Sequence, residues 1–353
     1  SGTTTLKGNT TNSAGINQGV KVNSGITLTN NAALGSASGS VTNAGTINSS
    51  ADNIKGTVSN TGSLNLSGGT LSKAVSGSGK TTITGNTTNS GGINQGVTVN
   101  SGVTLTNNAA LGSDSGTITN SGTINTSASN IKGAVTNNNT LNLSGGTLSK
   151  AVSGSGTTNI TGAVTSNSAI SQAINIIAAG DLTISAGNIG GAVTNAGDLI
   201  LTGGTLSKAV SGAGLTTISG NTTNNGGINQ AVKVNSGVTL ANNAALGSAN
   251  GAITNAGTIN SNADYIKGTV ANSGSLNLSG GTLNKAVSGS GTTTITGNTT
   301  NNAGINQGVK VNNGVTLTNN AALGSDSGAI TNAGTINSNA DYIKGTVANS
   351  GSL

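Results

Sequence analysis

The phrase G-I-N-Q returns at Ile16, Ile93, Ile228 and Ile305, each time inside nearly the same surrounding text. Ile16 to Ile93 and Ile228 to Ile305 are both 77-residue intervals, whereas Ile93 to Ile228 is a 135-residue one. A fixed long period of this kind requires a stack of near-identical supersecondary units instead of one closed globular core. It also weighs against a conventional active site, because stacked copies repeat everything whereas a catalytic site is unique. Ile170, in SAISQAINI, takes the missing place and divides the long interval into 77 and 58. The repeat units therefore run 1–76, 77–153, 154–211, 212–288 and 289–353, the third a short copy lacking one coil and the last incomplete. Together they are read as one continuous domain over 1–353.

So clean a loss implies that the long repeat is built from smaller interchangeable pieces. Segments opening on an N-x-G type of phrase run 100–119, 120–136, 137–153 and 154–176, with lengths of 20, 17, 17 and 23. About 18 such segments fill the chain. Each carries an alternating stretch such as Val103-Thr104-Leu105 or Leu141-Asn142-Leu143, the period of two expected of a strand with one buried face. Each also carries an aliphatic pair spaced by four, such as Ile131/Val135 or Leu148/Val152. Gly-Gly, Ser-Gly, Asn-Ala and Asn-Asn fall between them, residues that accept turns.

A four-residue spacing also suits an amphipathic helix. The 59 glycines and the β-branched anchors oppose it, since Gly costs about 1 kcal/mol per helical site relative to Ala. Composition agrees with stacked strands. Phe, Trp, Pro, Cys, Met and His are absent, and Tyr265 and Tyr342 are the only aromatics, so the interior is too narrow for rings. Abundant Gly and Ser with little charge would suit disorder, but disordered tracts do not hold Ile and Val in register over hundreds of residues. The reading is an all-β chain, a parallel β-helix (β-solenoid) of about 18 coils of roughly 17–23 residues each. Coils about 4.8 Å apart would stack to roughly 85 Å. Parallel stacking is expected to set like over like, with Asn and Thr forming side-chain ladders.

The phrases VTNAGTINS (41–49), ITNSGTINTS (118–127), ITNAGTINSN (253–262 and 330–339) and SGSLNLSGGTL (273–283) resemble the repeats of filamentous-haemagglutinin-like adhesins and autotransporter passenger domains. The resemblance spans essentially the whole chain. It implies a right-handed parallel β-helix, and a secreted or surface-exposed bacterial shaft that serves adhesion or matrix formation. The amino-terminal secretion cap and carboxy-terminal membrane barrel of those families are missing from the sequence. It starts within a repeat at Ser1, without a signal peptide, and reads as a processed protein or a segment of a longer one.

The residues argue against catalysis. The seven acids, Asp52, Asp114, Asp181, Asp198, Asp264, Asp326 and Asp341, sit mostly in turn-like phrases. They read as solvated turn residues, although parallel β-helices with clustered carboxylates can hydrolyse glycosides. No His, Cys, Glu or Arg is present to build a nucleophile–base pair. One Asp per loop is too few for calcium, which takes six or more oxygens, and no metal or cofactor is expected. SGSGKTT at 76–82 lacks phosphate-loop spacing. Thr-x-Thr phrases such as Thr3–Thr5 and Thr292–Thr294 suggest ice-binding arrays, but neighbouring coils replace them with Ile-Asn or Leu-Asn. N-x-[ST] triplets such as Asn9–Thr11 follow from composition.

Lysines are more orderly. Lys55, Lys132, Lys267 and Lys344 lie in I-K phrases, and Lys73, Lys150, Lys208 and Lys285 lie in L-[SN]-K-A-V. Each 77-residue unit is expected to present a two-lysine column on one side of the solenoid, either a solubilising face or a basic stripe for anionic polysaccharide, lipid headgroups or a neighbouring solenoid. Lysine without arginine or interleaved aromatics is a poor nucleic-acid reader. No apolar run approaches the roughly 18 residues of a membrane helix. The expected location is extracellular or the bacterial cell surface. Two functions fit: the shaft of a large adhesin, or a self-assembling filament, sheath or biofilm-matrix subunit whose uncapped terminal coils template further coils. The partners expected are other copies of the chain or glycans of a host or matrix surface.

Overall fold

A computed structural model describes residues 2–353, the side chain of Ala340 excepted. The chain forms two compact units, Ser1–Asn175 and Ile176–Leu353. Each is a parallel β-solenoid, and within each the strand-to-strand ladders are parallel. One turn of the first unit shows the pattern. Strand Val41–Asn43 is followed by strand Thr46–Ser49, then by a short 3-10 turn Ala51–Asn53 that leads to Ile54. Three faces thus close each turn. The alternation read from the sequence places Val41, Ile47 and Ile54 inside and Thr42 and Asn48 outside.

Three aliphatic columns fill the first unit. One runs Val20, Val41, Val58, Val75, Ile93, Leu111, Ile131, each residue paired with the next one turn on. A second runs Leu28, Ile47, Leu64, Thr81, Val97, Ile118, Val135, Val152, Ile170. The third begins Ile16, Leu34, Ile54. Nearly all these side chains are fully buried. Each aliphatic taken out of water contributes about 1.5–3 kcal/mol before the entropy of ordering the chain is set against it.

The columns reveal a mismatch that the repeated phrases conceal. Four turns carry Val20 to Ile93, yet the residue equivalent to Val20 in the next repeat is Val97, which belongs to the second column. A 77-residue repeat is therefore four turns plus one face. The same shift operates in the second unit: Ile228 stands in the column of Val193 and Val210, whereas its equivalent Ile305 stands in that of Val232, Ile253, Val270 and Val287. Like therefore lies over like for only a few turns, after which Leu71 meets Asn89 and Leu64 meets Thr81. The extra face per repeat brings the turns to about 20, against the 18 segments counted from the phrases.

The N-x-G phrase owes its residues to the corner between the first two faces. Asn43 is buried and turns inward, where its Nδ2 donates to Asn60 Oδ1 (2.7 Å) and to the Ser63 carbonyl (2.9 Å). Its Oδ1 accepts the Gly45 N–H (3.1 Å). Asn120–Asn137 and Asn255–Asn272 repeat the bond at 2.6 and 2.7 Å. These amides satisfy backbone groups that a bending chain would otherwise bury unpaired. The glycine serves close approach, not a left-handed turn: Gly62 has no positive φ, and a Cβ on it would overlap the Gly45 carbonyl one turn below. The expected polar ladders are present elsewhere too. Asn12, Asn30 and Ser49 form one in the first unit, and Gln95 Nε2 donates to Thr81 Oγ1 at 2.7 Å.

Candidate functional surface

The predicted lysines are brought together in pairs and then separated. In the first unit Lys55 leaves the third column at Ile54, and Lys73 enters the first column at Val75 one turn later. Lys132 leaves the first column at Ile131, and Lys150 enters the second at Val152. The first two repeats thus each present a lysine pair at one corner, and the second pair sits one face further round than the first. The second unit behaves alike: Lys208 enters the column of Val210, Lys267 leaves that column at Ile266, Lys285 enters the next column at Val287 and Lys344 leaves it at Ile343. Successive pairs within a unit do not fall on one side, because the repeat is not a whole number of turns.

One lysine has a defined acidic partner. Lys150 Nζ donates to Asp114 Oδ1 at 2.6 Å, across two turns, and that bond holds the Asp114 carboxyl below the usual carboxylate range. Both side chains face solvent, so the pair adds little to stability.

The aspartates divide by structural role. Asp52 Oδ1 accepts the Thr70 N–H (2.9 Å) and Asp264 Oδ1 accepts that of Thr282 (2.8 Å), each tying its corner to the following turn. Asp181 and Asp198 face each other in register on adjacent turns of the second unit, both exposed. Their 17-residue separation equals one turn, so that pairing was readable in principle from the spacing alone. Among the described residues no three His, Cys, Asp or Glu side chains cluster as metal ligands would.

A polar groove recurs at the corner after the second face. In the first unit it encloses about 620 Å³ among Asn31, Asn48, Asn53, Asn65, Ser67 and Thr84. In the second unit the equivalent positions form a groove of about 530 Å³ lined by Asn243, Asn260, Asn277, Ser279, Thr296 and Tyr265. Neither copy is lined by a charged residue. Tyr265 takes the place of Asn53 and is 38% exposed. The sequence reading missed this groove because its wall is assembled from residues about one turn apart. The Tyr-for-Asn exchange in the otherwise repeated phrase was its available signal.

One rank of outward threonines runs Thr82, Thr98, Thr119 and Thr136 and ends at Ser153. Lys80 and Gly96 stand beside its start, so no two-rank array forms there. Among the described residues, no helix is long and apolar enough to cross a membrane. No family model matches the chain, and neither a curated protein nor a solved structure does.

Proposed function

We propose that this chain is a non-catalytic, extracellular bacterial scaffold, the repetitive shaft of a large secreted or surface-attached adhesin. The observation that carries the reading is the ladder itself. Each described unit is held by parallel backbone pairing, aliphatic columns and buried asparagine ladders, and its outer surface repeats with the sequence. Such an interior resists bending because a local deformation would break backbone and side-chain bonds on adjacent turns together. The phrases resembling adhesin repeats point the same way, and so does the structural bonding of Asp52 and Asp264.

Electron microscopy of the native material on cells tests this. Single stiff rods projecting from the surface are expected. Continuous filaments that extend by addition of further chains would replace the shaft with a self-assembling fibre. Turnover of any member of a polysaccharide panel would overturn the non-catalytic part.

A further inference from the structure

From the groove of the second unit, we infer that Tyr265 and its neighbouring amides bind a neutral glycan chain. Three observations converge on that class of ligand. The first is the placement of aromatic side chains. The chain has only two, and Tyr265 lies exposed in a groove where the first unit has Asn53. An exposed ring adds nothing to a core that excludes aromatics, whereas its face offers the apolar platform on which the C–H side of a pyranose ring rests.

The second is the wall. Asn260 and Asn277 are in register on successive turns, and Asn277 Nδ2 donates to Asn260 Oδ1 at 2.7 Å. Asn262 Oδ1 accepts the Asp264 N–H at 2.8 Å. These bonds fix the amides before any ligand arrives, which lowers the entropic cost of binding. Amides and hydroxyls that both donate and accept complement sugar hydroxyls, and the absence of lysine or aspartate from the lining disfavours a charged ligand.

The third is spacing. The column Ala241, Asn260, Asn277, Thr294 repeats once per turn, at about 4.8 Å, which is close to the length of a pyranose unit. A linear β-linked chain can therefore lie along the groove with its hydroxyls against Asn260 and Asn277. The volume of about 530 Å³ suits two or three sugar rings. A peptide would need side-chain pockets or an open strand edge, and this wall has neither.

The composition provides a direct readout. The chain lacks tryptophan, so in a Tyr342→Leu variant Tyr265 is the only fluorophore. Titrating chitohexaose into that variant should change tyrosine emission saturably, with matching heat by calorimetry. In Tyr265→Leu, affinity should fall by about tenfold or more, as truncating an aromatic anchor does, while the far-ultraviolet circular dichroism stays unchanged. Asn53→Tyr should add a second site to the stoichiometry.

Three results would overturn the inference: no saturation by chitohexaose or cellohexaose at millimolar concentration, unchanged affinity in Tyr265→Leu, or an equal emission change with an unfolded polypeptide free of tyrosine and tryptophan. The inference goes beyond the scaffold reading. Microscopy on cells and glycan titration of the isolated chain fail independently.

Discussion

The passage around Ile93 and the passage around Ile170 hold equivalent places in the repeat and are folded in two ways. At the first, Val75–Ile83 and Ile93–Val99 run through the corner as unbroken strands of nine and seven residues. At the second, the corresponding turns break into Val152–Ser153, Thr157–Ile160, an isolated bridge at Ile170 and Ala173–Ile176. The aliphatic positions are unaffected, since Val152, Ile160, Ile170 and Ile174 are as buried as Val75, Ile83, Ile93 and Val97. What differs is the glycine. Gly92 has φ +93°, a region that Ala169, its equivalent, does not enter. One turn below, Asn139 stands where the first passage has Gly62, beneath the Gly79 corner. The aliphatic columns are common to both passages, and the broken one has Ala169 and Asn139 where the unbroken one has glycine.

Substitutions at the two passages can test that contrast. The largest effect should come from the buried columns: Ile93→Ala and Ile170→Ala should each cost about 2–5 kcal/mol in denaturant unfolding. A much smaller cost at Ile170 would mean that the broken passage is also loosely packed. Next, Gly92→Ala should cost about 1–2 kcal/mol, because Ala resists a left-handed φ. Amide exchange should then quicken across 93–96, and the Ala169→Gly, Asn139→Gly pair should slow it across 170–173.

A smaller effect is expected of Gln95→Ala and Gln172→Ala. Each removes a buried bond to a threonine of the previous turn, 2.7 Å in both passages, at about 1 kcal/mol. Equal losses would show that this inner bond is indifferent to the corner. The smallest effect concerns Lys150, whose Asp114 partner is replaced by Ala37 at the first passage. By NMR titration, Lys150→Ala should return the Asp114 pKa upward to the ordinary carboxylate range. Since the folded value is the depressed one, the pair's contribution is present at neutral pH and fades as acid protonates Asp114.

Much of this was legible in the residues. Alternation at Leu141-Asn142-Leu143 gave a strand with its apolar side inward, and the abundance of Asn anticipated ladders such as Asn43–Asn60. Phase was not legible from the phrases. Aligning G-I-N-Q with G-I-N-Q suggested vertical registry, whereas registry depends on the residues consumed by each turn, from 16 between Thr3 and Gly19 to 21 between Val20 and Val41. For the same reason the pair Lys132 and Lys150 sits one face further round than the pair Lys55 and Lys73. N-x-G was read as turn chemistry, but Gly62 shows that the demand comes from the backbone of another turn. The groove was invisible because Asn243, Asn260 and Asn277 become neighbours only once the turn length is known.

The leftover face in each repeat means that copy number sets bearing as well as reach. Within a unit, every motif is aimed one compass point beyond its predecessor, as treads are on a spiral stair. Gaining or losing one repeat through unequal recombination would redirect every later copy without altering a single side chain. Lineages that differ in length alone would therefore display the same chemistry to different neighbours.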